Sequence, residues 1–283
     1  MASTDQNIDS QHVTPGDTIR PEDIENIDNL GIRKFVVSQD EMALLANIKN
    51  LKYLMFVDCE FIGDAFAPLE NNVIRDLYVQ YSVVPGILGR SIQKLKNLET
   101  LGLTQLDFPD DFFKHCGALN INSLAIVEVS VRTENLKDML PLPNLSMLML
   151  YDTDVGDDIT DFLDELPALK TLSIAFSVPN KMRSKFLRDM KNTDTLEEIT
   201  IENSDIDDEI LSEITRFKNL TSVIIYGRKI TKDSIPTMEL FANGERYIVL
   251  RNDNGILCRL ERDYSAIIPG TENGGTEATV EPQ

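Results

Sequence analysis

The stretches LPNLSMLMLYDTDV (residues 142–155), LPALKTLSI (166–174) and FKNLTSVIIYGRKI (217–230) share one spacing of apolar residues. In the first, Leu145, Leu148, Leu150 and Val155 follow the pattern L-x-x-L-x-L-x-x-x-x-L. Leu148 and Leu150 alternate with variable residues, which is the period of a strand that buries one face. The longer gap before Val155 does not fit that period, so the chain must turn there. One such stretch buries little by itself and needs neighbours of the same kind.

The neighbours are present. The spacing begins at Ile32, Leu51, Ile74, Leu98, Ile121, Leu145, Leu169, Leu196 and Leu220, and successive starts differ by 19, 23, 24, 23, 24, 24, 27 and 24 residues. All thirty-six template positions are apolar except Pro179, where a 42% hydrophobic composition supplies about fifteen by chance.

Over about residues 32 to 235 the chain resembles the leucine-rich-repeat family. TDVGDDI (153–159), SDIDDEI (204–210) and RKITKDSI (228–235) look like the T-x-I-T-D-x-x-L subtype of bacterial proteins. The resemblance implies an α/β fold: a leucine-rich-repeat solenoid, or horseshoe, with a parallel sheet on the concave face and short helices or irregular segments on the convex face. The family's ninth position is usually Asn or Cys. Here it reads Asp40, Cys59, Ser82, Leu106, Val129, Thr153, Ser177, Ser204 and Arg228, so no Asn ladder exists. Leu106 and Val129 have no polar side chain to satisfy the turning backbone, which predicts irregularity in the fourth and fifth repeats.

Return segments 110–119, 157–166 and 207–217 open with acids and then space apolar residues three or four apart, predicting short amphipathic helices. Pro68, Pro85, Pro141 and Pro143 break the pattern in 62–73, 85–97 and 132–144, which read as less clearly helical. Open solenoid ends need covers. Ile24, Ile27 and Leu30, closed by Gly31, predict a helical cap over 21–31; Asn254-Gly255 predicts a hairpin cap over 246–262. The reading is one domain, 19–262, between a disordered acidic leader (1–18) and a disordered acidic tail (263–283).

Composition excludes several classes. Lys+Arg 27 against Asp+Glu 47 gives a formal charge of -20, which repels nucleic acid and anionic membranes and leaves a protein partner. Three scattered cysteines, Cys59, Cys116 and Cys258, make no disulfide framework and no zinc spacing. The N-terminus carries neither a basic nor an apolar signal region, so a cytoplasmic protein is expected.

Chemistry is sparse. No phosphate-cradling or zinc-hydrolase motif occurs, and the expectation is no cofactor and no metal. His115 beside Cys116 could form a Cys/His nucleophile, though packing is the favoured reading. DTDVGDD (152–158) clusters carboxylates, but an EF-hand would need Gly and Glu where Asp157 and Leu163 stand, so helix-starting acids are expected. Asn144-Leu145-Ser146 and Asn219-Leu220-Thr221 match a glycosylation pattern and read as features of the N-L start of the strand.

The sheet face carries the information. Tyr53, Tyr78, Tyr81, Tyr151 and Tyr226, five of the seven tyrosines, fall on outward strand positions. Met55, Met147, Met149, Phe176 and Ile224 join them. Aromatics and methionine give large contact area at low entropic cost. Arg33, Lys34, Lys52 and Arg75 outnumber Asp58 and Asp76 early, whereas Glu128, Asp152, Glu197, Glu198 and Glu202 load the later repeats against Lys170. Nine strands about 4.8 Å apart would offer an inner face of about 700 Å², near one side of a standard interface. The reading is a non-enzymatic protein-protein interaction module, monomeric alone, that grips a protein or peptide on the concave face. The alternatives are a substrate-recognition or adaptor subunit of a larger complex such as a ubiquitin ligase, for which no F-box-like segment precedes the repeats, and an enzyme.

Overall fold

The computed structural model describes residues 11–13, 27–109, 111–117, 119–180 and 185–261. The chain divides into two compact units: residues up to Val129 with Glu134–Leu142, and Ser130–Thr133 with everything from Pro143. A repeat contacts mainly its neighbours, so one periodic sequence, expected to be one domain, can hold more than one compact block.

In the first unit the strands are β1 (Gln11–Val13), β2 (Asn29–Arg33), β3 (Val36–Val37), β4 (Tyr53–Val57), β5 (Glu60–Phe61), β6 (Asp76–Gln80), β7 (Thr100–Thr104) and β8 (Ser123–Val127). β1, β2, β4, β6, β7 and β8 pair parallel in that order without a bulge. β3 and β5 make a second small parallel ladder after the strand-end corner. Most of the leader and cap expected at 1–18 and 21–31 lies outside the described residues. Two parts of it do not: Gln11–Val13 is paired strand, and 29–31 belong to β2 rather than to a helix.

The register corrects the first repeat. Leu30 pairs with Leu54 and Ile32 with Phe56, so this repeat starts at Ile27 instead of Ile32. Ile27, Leu30, Ile32 and Val37 are all buried. Both frames place four apolar residues on the template; only the odd first step of 19 residues, which becomes 24, separated them. Gln39–Leu45 is then a return helix, opened by a capping box in which Asp40 N–H donates to Ser38 Oγ and Ser38 N–H donates to Glu41. The Ser38 hydroxyl, together with the Ser38 N–H, donates to the Glu41 carboxylate and holds it below its ordinary pKa.

Each strand is pinned at both ends. At its start, one carbonyl accepts two N–H groups from the next repeat: Asp28 from Lys52 and Tyr53, Lys52 from Arg75 and Asp76, Arg75 from Glu99 and Thr100, all at 2.7–3.0 Å. At its end, Lys34, Asp58, Tyr81, Gln105 and Glu128 occupy the left-handed region, with φ between 46° and 59°. Each is the eighth residue of its repeat. The conformation turns the chain out of the strand, and it costs a non-glycine residue about 1–2 kcal/mol. It preserves the ladder nonetheless: the N–H groups of Lys34, Asp58, Tyr81 and Gln105 donate to Val57, Gln80, Thr104 and Val127 at 2.9–3.1 Å.

The irregularity expected at Leu106 and Val129 does not occur, since β7 and β8 pair residue for residue. At Leu106 backbone bonds close the corner, Gln105 and Asp107 N–H donating to Val127 and Ser82 at 2.9 and 3.0 Å, and Val129 is buried. Elsewhere Ser82 does the polar work, its Oγ donating to Gln80 at 2.6 Å and accepting from Cys59 N–H at 3.0 Å. The proline-bearing returns, less clearly helical by sequence, hold short pieces: Ala67–Leu69 is a 3-10 turn, and Leu88–Gln93 and Thr133–Lys137 are helical. Pro68 sits in the first turn, where its missing N–H costs nothing, and the Pro85 carbonyl accepts from Leu88. The expected helix at 110–119 shortens to Phe112–His115.

The second unit contains β9 (Met147–Tyr151), β10 (Thr171–Asn180), β11 (Glu198–Asp207), β12 (Ser222–Lys229), β13 (Tyr247–Asn252) and β14 (Gly255–Leu260). β9 to β13 are parallel, and β14 folds back antiparallel on β13. Asp152 keeps the left-handed corner at φ 50°, but Phe176 and Gly227, the eighth residues of later repeats, do not. β10 and β12 therefore run on to 10 and 8 residues, and β11 is 10 residues long. The returns are Asp157–Ile159 leading into Thr160–Leu163, then Lys185–Asp189, Glu209–Ile214 and Ile235–Ala242. β13 is a further repeat strand with Ile248 and Leu250 buried. Its first template position is Glu245, and Arg246 closes the end instead, donating to the Leu220, Phe241 and Lys218 carbonyls at 2.8, 2.7 and 3.2 Å.

Candidate functional site

Because side chains alternate, Leu54, Phe56, Leu77 and Val79 enter the core of the first unit while residues between them face outward. One outward row runs Gly31, Met55, Tyr78, Gly102 and Ala125 across β2, β4, β6, β7 and β8. Tyr53 and Tyr78 are half-buried, with ring centroids 5.2 Å apart and planes tilted by 32°. The Tyr53 hydroxyl lies 3.7 Å from Met55 Sδ. Tyr78 also lies over Gly102, where an added Cβ would stand 2.3 Å from its ring. Partial burial, with Asp76 nearby, raises both phenol pKa values. The three side chains form a fixed aromatic and thioether patch. Tyr81, at its left-handed corner, is 54% exposed.

In the second unit Met147 is exposed, and Met149, Tyr151, Ile224 and Tyr226 are half-buried on outward positions. The Tyr151 hydroxyl bonds to Ser173 Oγ at 3.0 Å. Tyr226 donates to Asp253 Oδ1 at 3.0 Å, and Arg251 stands 5.4 Å from its ring centre. The bond to Asp253, aided by desolvation, raises the Tyr226 pKa. Phe176 is a correction: it is 3% exposed. Without the left-handed turn at its position, β10 continues, and strand alternation carries Phe176 inward with Leu172 and Ile174.

The charge reading changes too. Arg75 pairs with Glu99 at 3.5 Å and Lys170 with Glu197 at 2.7 Å, so these cations are spent internally. Glu128 accepts from Gln105, and Asp152 accepts from Ser177 N–H. Among the described residues Arg33, Lys34 and Lys52 form no ion pair. Sequence reasoning missed Gly102, Ser173, Arg251 and Asp253, which seat the tyrosines; the small residues in outward rows were the only signal.

At the Cys/His pair, Arg90 Nε donates to His115 Nδ1 at 3.2 Å, and His115 Nε2 lies 3.4 Å from Asp111. Cys116 is fully buried, and desolvation pushes its thiol pKa well up, away from the reactive thiolate. Cys59 and Cys258 are likewise buried, with raised thiol pKa values. Asn219 Nδ2 donates to the Asp194 carbonyl at 2.5 Å, a structural duty at the start of its repeat. Among the described residues no group of three His, Cys, Asp or Glu side chains is placed to hold a metal ion, and no helix is long and apolar enough to cross a membrane.

No family model matches the chain. No curated protein matches it. Solved structures do. The mouse RP105/MD-1 complex matches at TM-score 0.53 and 13% identity, over 79% of this chain and 38% of that one. The TLR13–ssRNA13 complex matches at TM-score 0.54 and 14% identity, over 86% and 36%. A Bacteroides fragilis protein matches at TM-score 0.50 and 16% identity, over 81% and 75%. The chain thus spans well under half the length of the first two. All three are leucine-rich-repeat proteins, and at these identities they establish architecture alone. Stacked parallel strands, pinned corners and short returns, together with the likeness to these structures, give this chain the leucine-rich-repeat fold.

Proposed function

We propose that this protein is an interaction module that binds a protein or peptide on the outward face of its strands. One observation carries the reading: Tyr53, Met55 and Tyr78 are held partly exposed in one patch by Gly102 and by each other, although nothing in the repeat fold requires aromatics there. A rigid, partly desolvated aromatic cluster is what an interface hot spot consists of. Met147, Met149 and Tyr151 offer a second such group on the other unit. RP105 is seen in complex with MD-1 and TLR13 with RNA, so the fold alone does not choose the partner class. Charge chooses: at -20 the chain repels a polyanion, which favours protein.

The test is affinity capture from the native cell with wild type beside Tyr78→Ala/Tyr151→Ala. A protein retained by wild type, and weakened in the variant by about 1–3 kcal/mol per tyrosine, supports the reading. Equal retention by both overturns it.

A further inference from the structure

We propose that a pocket at the strand-end corner of the first unit, bounded by Arg33, Lys34, Val57, Asp58 and Tyr81, receives an acidic side chain of the partner. This specifies the chemistry of the interaction proposed above and rests on that reading. The cavity measures about 400 Å³. Successive left-handed corners set Lys34, Asp58 and Tyr81 side by side, and strand pairing sets Arg33 beside Val57.

Charge makes the pocket selective. Arg33 and Lys34 are exposed and form no ion pair among the described residues, although acids far outnumber bases in the chain. Two adjacent cations with Asp58 as the one acid lining their pocket among the described residues still repel each other, and an incoming anion relieves that repulsion. Asp58 lowers the pocket's formal charge to a single positive unit, which matches one carboxylate better than a dianionic phosphate. The surrounding negative surface opposes a polyanion, so an isolated acid on a peptide is admitted where a nucleic acid is turned away.

The pocket's flank defines the rest of the ligand. Tyr81 is 54% exposed in spite of its left-handed backbone, and Val83, at 52%, follows two residues later. Val36, at 53%, lies on the same small ladder, with Glu60 between it and Val83. That strip favours aliphatic contact and disfavours a second acid. The occupant is an extended segment with one glutamate or aspartate next to branched aliphatic residues.

The test uses the full chain and two fluorescein-labelled peptides, one with a single glutamate flanked by valine and leucine, the other with lysine replacing that glutamate. Anisotropy is read at 50 and 200 mM salt. The glutamate peptide is expected to bind, to weaken several-fold at higher salt, and to lose at least tenfold in affinity with Arg33→Glu/Lys34→Glu. Arg33→Gln/Lys34→Gln should fall between, and thermal melts check that both variants fold. Equal binding of the lysine peptide, unchanged affinity in both charge variants, no binding by wild type, or displacement by inorganic phosphate at lower concentration than by free glutamate peptide overturns the pocket. Loss in Tyr53→Ser/Tyr78→Ser with no loss in the charge variants also overturns it, yet leaves the wider interaction reading standing.

Discussion

The ring of Tyr78 fills the space that a side chain at Gly102 would need: a Cβ there would stand 2.3 Å from Tyr78 Cδ1 and 2.8 Å from Cε1. The two residues are direct register partners on β6 and β7. Gly102 therefore serves as the floor of the aromatic patch, and its lack of a side chain sets the height at which Tyr78 rests.

Gly102→Ala is expected to push Tyr78 away and to lower stability by about 1–3 kcal/mol through overpacking. In Gly102→Ala/Tyr78→Ala the clash is gone, so the double variant should lose less than the sum of the singles. Urea unfolding of all four proteins measures the coupling; strict additivity would show that the contact is not made.

The corner residues predict a ranking. Gln105 is exposed with φ 46°. Gln105→Gly removes left-handed strain and should gain up to about 1 kcal/mol net of glycine's added unfolded-state entropy. Gln105→Val places a branched side chain in that conformation and should lose stability. A denaturation midpoint order other than Gly, Gln, Val refutes the corner geometry.

Phe176→Ala should behave as a core deletion, costing about 3–5 kcal/mol. It should therefore reduce any binding only in proportion to unfolded protein, measured by unfolding and affinity on the same sample. Wild-type stability with lost binding would return Phe176 to the surface.

Asp208 gives a pH signature. Burial acts to raise its pKa, but hydrogen bonds from Ser234 and Thr231 outweigh this and hold it below the ordinary carboxylate value. A folded-state pKa below the unfolded one means stability that is complete above the unfolded value, near pH 4, and lost as pH falls through the folded value. Asp208→Asn should cost about 1 kcal/mol at pH 7, small because solvent screens the half-buried group. The gap from wild type should close as the pH drops below about 4. A gap unchanged between pH 7 and pH 2.5 would remove Asp208 from this role.

The thiols give a final check. Buried, with their pKa values raised, Cys59, Cys116 and Cys258 should resist iodoacetamide at pH 8 in the folded protein and react after unfolding. Mass spectrometry reads the outcome, and rapid native labelling of Cys116 would reopen the nucleophile reading.

The architecture was legible from residues such as Leu145, Leu148 and Leu150, because burial of one strand face imposes a period that composition cannot imitate. So were the outward tyrosines, since alternation follows from backbone geometry alone. The first repeat was misplaced because Ile32 and Val37 fit two frames equally well, and only strand register against Leu54 and Phe56 separates them. Phe176 was misplaced because its direction depends on whether the backbone at its own position turns left-handed, and there the strand continues instead. The same holds for the cations: sequence counts Arg33, Lys34, Arg75 and Lys170 alike, whereas folding pairs Arg75 and Lys170 with glutamates of the adjacent repeat and gives Arg33 and Lys34 no ion pair among the described residues. Periodic burial is a property of the chain's own order, but corner geometry, ion pairing and the seat beneath Tyr78 arise between segments roughly two dozen residues apart, which meet only once the strands have stacked.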